Sequence, residues 1–237
     1  MALNIYEALK DFGPIIALLL QARLLSRFLD PRNRDYPIAI LFSFILFLVT
    51  SASHFFDNYS NDLPRELAIP IRNNFFSAYA GADLFMHIFL LVLMLQLIHQ
   101  TLQYLSLGTT VLRGLTIVSI LVALGAFFYF RGNQNKHFYL ILVETRQVAS
   151  FWMVLLNLYW WTLLLKRRQL DRRILLLSAG IGLLMTGQVI GDSIMSFAKV
   201  DLPWIGISAV LIMYLTHYAC LHSWYNAFNP KLAKPLT

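Results

Sequence analysis

The chain reads as seven runs of about 20 mostly apolar residues joined by short polar links, the length that lets a helix cross the hydrocarbon layer of a bilayer. Taken with a window of about 19 residues, the runs cover Ile5–Leu25, Tyr36–Phe55, Phe75–Gln100, Val111–Phe130, Phe138–Leu165, Ile174–Phe197 and Trp204–Trp224. The expected fold is therefore all-α: one polytopic seven-helix transmembrane domain over residues 1–237. The first run contains Lys10, Asp11 and Pro14. No basic segment precedes it, and Arg23 and Arg27 follow it as a stop-transfer signal, so it reads as a span and not as a signal peptide.

Composition agrees. The 237 residues are 58% hydrophobic and only 13% charged, where a soluble domain carries about 25% charged residues. Lys and Arg are retained on the cytoplasmic side of a membrane. One face of the predicted bundle holds twelve of them against three acids, a net +9, among them Arg23, Arg27, Arg113, Lys166 and Arg172. The opposite face is balanced at zero, and the spans themselves hold −2, which together recover the formal +7. The N-terminus is then outside and the C-terminus inside. The same sorting removes nucleic acid as a partner, because Lys166–Arg173 lies between two apolar runs, where it anchors topology against anionic headgroups.

The one sizeable loop is expected at residues 57–74 on the outer side, with Pro64 and Pro70 inside it. Trp204, Trp224, Trp160 and Trp161 fall near span ends, where tryptophans commonly anchor at the interface. In the sixth span Ser178, Gly182 and Thr186 recur every four residues, and Gly187 with Gly191 forms a second small-residue pair. Such spacing predicts close helix packing. Cys220 is the single cysteine and lies within the seventh span.

Ionisable groups inside the hydrocarbon are the first candidates for function. At a rise of about 1.5 Å per residue from the outer end of each span, Asp192 lies about 8 Å deep, Glu144 about 9 Å, Asp83 and Arg146 about 12 Å, and His87 about 18 Å. Asp83, Glu144, Arg146 and Asp192 thus form a candidate polar cluster in the outer half of the membrane. Asp83 and His87 are four apart and share a helix face. Glu144 and Arg146 are about 200° apart around their helix, so only one of them faces the cluster. An ion pair of Arg146 with Asp83 or Asp192 is the plainer reading. The sharper one is a proton, cation or metal site on Asp83 and His87, since one Arg does not neutralise three acids.

His87 and His217 are predicted at similar depth, which makes them candidate axial ligands for haem b or another tetrapyrrole. The set Ser51, His54, Asp83, His217 and His222 resembles the seven-helix zinc hydrolases that include alkaline ceramidases and adiponectin-type receptors, a resemblance that implies a zinc on three histidines with an Asp and a Ser nearby. Here the span-seven histidines are five apart where that family has HxxxH, and His54 is outer while His222 is inner. Ligands of one tetrahedral zinc lie within a few ångströms of it. Across nearly the whole chain, the seven-span plan, the basic link after span one and Glu144-Thr145-Arg146 resemble uncharacterised bacterial seven-helix membrane proteins. That resemblance implies a place in the bacterial cytoplasmic membrane and no activity.

With minimal loops and no recognised catalytic motif, the leading expectation is a non-enzymatic membrane protein. It would be a subunit embedded among other membrane proteins or a small sensor module with a polar outer-half pocket. A haem-carrying redox subunit and an intramembrane metal-dependent hydrolase are the alternatives.

Overall fold

The computed structural model describes residues 2–30, 33, 37–61, 65–105, 109–132, 138–166, 172–197 and 203–229, with side chains from 12 onward and without those of 37–38, 53–74, 76, 104, 109, 197 and 203. Among the described residues the regular structure is helical throughout: α1 (Ala2–Phe28), α2 (Pro37–Asn61), α3 (Arg65–Tyr104), α4 (Thr109–Arg131), α5 (Phe138–Leu165), α6 (Arg172–Phe197) and α7 (Pro203–Ala227). Five of these helices carry a stretch long and apolar enough to cross a membrane: Ser77–Gln103, Thr110–Arg131, Phe138–Leu165, Arg172–Ser196 and Trp204–Ala227. The described part of α2 contributes a shorter apolar segment, Ala39–Ala52. The outer surface matches a lipid solvent, with Leu19, Leu121, Phe128 and Leu215 all more than half exposed. In water such a surface would aggregate.

Most of the stretch expected as a loop at 57–74 is helical among the described residues. The backbone of α2 remains helical to Asn61 and α3 begins at Arg65. A hydropathy window detects only the apolar length of a helix, whereas backbone hydrogen bonding carries the helix on past the hydrocarbon boundary.

Sequence neighbours pack on one another, and α1 returns to α7 to close the ring, while α3 reaches across to α5. On α3 the core face is Leu90, Leu93, Met94, Leu97 and Ile98, the three-and-four spacing of an amphipathic helix. It meets Met153, Leu156 and Trp160 of α5 and Ile181 and Met185 of α6 in the same cluster. The most extensive helix contact is between α6 and α7. A Cβ on Gly191 would come 2.5 Å from Cγ of Met213, and one on Gly187 would overlap Thr216. Bare backbone at these points is what lets the two axes approach.

Two of the expected interfacial tryptophans are in fact core residues. Trp160 is fully buried, with its indole N–H donating to Thr101 Oγ1 at 3.0 Å. Trp224 is 1% exposed and donates to the Leu177 carbonyl. The face each ring occupies is turned inward, and a partner for each N–H makes that burial tolerable. Trp204 is 52% exposed, as an anchor at a membrane surface would be.

Candidate functional site

Polar residues of α3, α5 and α6 meet around Arg146. Arg146 of α5 extends between two carboxylates. Its Nη1 donates to Asp83 Oδ2 at 2.8 Å, and its Nη2 lies 2.7 and 2.6 Å from the two oxygens of Asp192. All three side chains are less than one fifth exposed. One guanidinium, with five N–H donors in a rigid fork, can bind two carboxylates in this way where an ammonium cannot. Its Nε is buried and has no hydrogen-bond partner among the described residues.

His87 sits one helical turn beyond Asp83. Its Nδ1 donates to the Asp83 carbonyl at 2.7 Å and lies 3.5 Å from Asp83 Oδ1. Because a carbonyl can only accept, this bond fixes the proton on Nδ1. Nε2 then faces Oε1 of Gln188 in α6 at 2.7 Å. Gln188 is four residues before Asp192, so α6 presents both groups on one face. The spacing was available in the sequence, but an amide without formal charge drew no attention.

These groups form one wall of a cavity of about 370 Å³, a size within the ordinary range of small-molecule sites. Asp83, His87, Gln188 and Arg146 line it, with Asp192 standing behind Arg146. Elsewhere it is bounded by Ala17 of α1, by Phe42, Leu46 and Val49 of α2, by Met86 and Leu90 of α3, and by Met213 and Tyr214 of α7. Few backbone approaches join α3 to α6 directly, and residues of α1, α2 and α7 complete the lining. Tyr79, 40% exposed, stands at its edge.

His217 lines the same cavity from α7. Its Nε2 is 3.4 Å from Nε2 of Gln21, whose amide also donates to Thr50 Oγ1 at 3.2 Å. Gln21 is 1% exposed, and its Oε1 has no partner among the described residues. A second polar point therefore lies away from the Arg146 wall. Gln21 and Thr50 were not candidates from sequence, because a lone amide or hydroxyl in a span most often bonds its own helix.

Of the sequence candidates, Asp83, Arg146 and Asp192 come into direct contact, and Asp83 with His87 and His217 share the cavity. Arg146 lines it and Glu144 does not. Among the described residues no three His, Cys, Asp or Glu side chains are grouped as a metal would require. The side chain of His54 lies outside the described residues. Known protein families, characterised proteins and solved structures were all compared with the chain, and none matches.

Proposed function

We propose that this chain is a non-enzymatic, membrane-embedded ligand-binding module, a small sensor that crosses a bacterial cytoplasmic membrane seven times with its N-terminus outside. The observation that carries this reading is the cavity of about 370 Å³ whose one wall is the Asp83–Arg146–Asp192 ion triad and whose remainder is largely aliphatic and aromatic. A few polar groups converging in an apolar hollow is the usual makeup of a small-molecule site. The charge asymmetry between the two faces supports the orientation, and with that orientation the cavity would be reached by ligands from the outer side. The packing of α1 against both α2 and α7 supports its place as a span. Protein partners would receive the sensor's output.

The test is mass spectrometry of the protein purified from native membranes in nanodiscs. A small molecule retained by the wild type and lost in Ala17→Phe, which fills the cavity while helicity is retained, is the expected result. Retention in both would overturn the reading. Protease access to a tag on each terminus checks the topology, which fails if the C-terminal tag is cut from outside.

A second reading rests on His87 and His217 lining one cavity, which suits a tetrapyrrole held between two imidazoles. It requires His87 to exchange its Gln188 partner for iron. A Soret band lost in His217→Ala would favour it over the sensor.

A further inference from the structure

We propose that Arg23, Arg27 and Tyr225 form a binding site for the phosphate of an anionic phospholipid, at the place where α1 and α7 end side by side. None of the three lines the cavity, so this site stands or falls separately from the one proposed above.

Helices α1 and α7 run in the same direction: the Tyr218 hydroxyl donates to the Gly13 carbonyl at 2.8 Å, and further along both helices Phe28 and Phe228 meet edge to face at 4.6 Å. Between these contacts Arg23 and Arg27 close on one ring. The guanidinium carbon of each lies 4.2 Å from the centroid of Tyr225, and Nη2 of Arg27 donates to the phenol oxygen at 2.6 Å. Stacking on a ring holds in place side chains that are otherwise flexible.

The two arginines are four apart on one helix, so two like charges are brought together, which is unfavourable. No carboxylate among the described residues pairs with either. The ion pairs lie at Asp83, Arg146 and Asp192, and Asp30, three residues after Arg27, joins neither arginine. The end of α1 carries about half a negative charge, too little to offset two guanidiniums. An anion that receives N–H groups from both arginines relieves the repulsion, and phosphate oxygens match the planar fork of a guanidinium.

The surface of α1 selects a lipid as the carrier of that phosphate. Leu19, Ile16 and Phe12 stand four, seven and eleven residues before Arg23, on its face of the helix, and are 66%, 43% and 62% exposed. At a rise of about 1.5 Å per residue, Phe12 lies roughly 16 Å from Arg23, close to half of the about 30 Å hydrocarbon thickness. An acyl chain lying on this stripe brings its headgroup to the two guanidiniums. A free phosphate uses the same nitrogens and leaves the stripe uncovered. A zwitterionic lipid carries its own ammonium beside the phosphate and gives up part of the attraction.

The probe is dioleoyl phosphatidylglycerol, titrated into the full chain in detergent micelles and read by native mass spectrometry, with dioleoyl phosphatidylcholine and inorganic phosphate as the other arms. The expected result is one tightly held phosphatidylglycerol per chain, at about thirtyfold higher affinity than phosphatidylcholine, from roughly fivefold per arginine at an anionic headgroup. Inorganic phosphate should not displace it. Arg23→Gln and Arg27→Gln are each expected to lose about fivefold. Tyr225→Leu keeps both charges but removes the ring that places them, and should lose about as much as either arginine variant. Arg113→Gln removes an exposed arginine of α4 and should leave the affinity unchanged.

Equal affinity for phosphatidylcholine would overturn the inference, and so would displacement by inorganic phosphate, which would mark a site for the free anion. Both are read on the wild type and need no variant to fold. A loss in Arg113→Gln equal to that in Arg23→Gln, or wild-type affinity in Tyr225→Leu, would reduce the site to general attraction by a basic surface and overturn it as well.

Discussion

Arg146 and Asp192, 46 residues apart in sequence, are joined by a contact in which one guanidinium nitrogen lies 2.7 and 2.6 Å from the two carboxylate oxygens. Its neighbouring nitrogen is spent on Asp83. The arginine is thus the one cation between two acids, and it ties α5 to both α3 and α6.

Removing it should be costly. Arg146→Gln leaves two carboxylates facing each other in a buried setting, and breaking a buried pair from one side typically costs about 3–5 kcal/mol. Arg146→Lys should recover only part of this, because an ammonium lacks the fork that reaches both acids. Thermal melts in detergent at near-neutral pH measure both; a Lys variant as stable as the wild type would contradict the bridging role.

The α6–α7 contact predicts a graded glycine series. Gly187→Ala would drive a methyl into Thr216, which is held by a hydrogen bond to its own helix, whereas Gly191→Ala meets the flexible end of Met213. Overpacking costs about 1–3 kcal/mol, with Gly187→Ala toward the upper end and Gly191→Ala below it. Gly125 of α4 has open space around its would-be Cβ, so Gly125→Ala should not destabilise. The order of the three melting temperatures is the readout.

Tryptophan burial separates positions that look alike in sequence. Trp160→Ala should cost about 3–5 kcal/mol, while Trp204→Ala changes stability by about 0.5 kcal/mol or less. Brominated lipids should quench fluorescence from a variant whose sole tryptophan is Trp204 far more than from one keeping only Trp160. Equal quenching would refute the assignment of Trp160 to the core.

Cys220 is 3% exposed, so a membrane-permeant maleimide should label the folded protein slowly and the denatured protein fully. Thiol access limits the reaction in the first case and only chemistry in the second. Rapid labelling of the native protein would show that the α7 packing opens readily.

Each of these outcomes depends on which way a helix face is turned, and that is where the sequence reached its limit. The runs of apolar residues determined the all-helical class and most helix limits to within a few residues, because a bilayer leaves the backbone of each span no hydrogen-bond partners but its own. They also singled out Asp83, His87, Glu144, Arg146 and Asp192 as ionisable groups within apolar runs, since a charge in hydrocarbon stands out against its neighbours. The small residues of α6 announced a close contact, although not that α7 would be the partner.

Rotation about each helix axis, and hence what meets what, was decided by tertiary packing alone. Period and composition carry depth but not azimuth between helices. Trp160 and Trp224 therefore went to the core, Arg146 and not Glu144 turned toward the acids, and Gln188 emerged as the partner of His87. The cavity itself has no sequence signature: its lining comes from α1, α2, α3, α5, α6 and α7, and only the arrangement of these helices defines it.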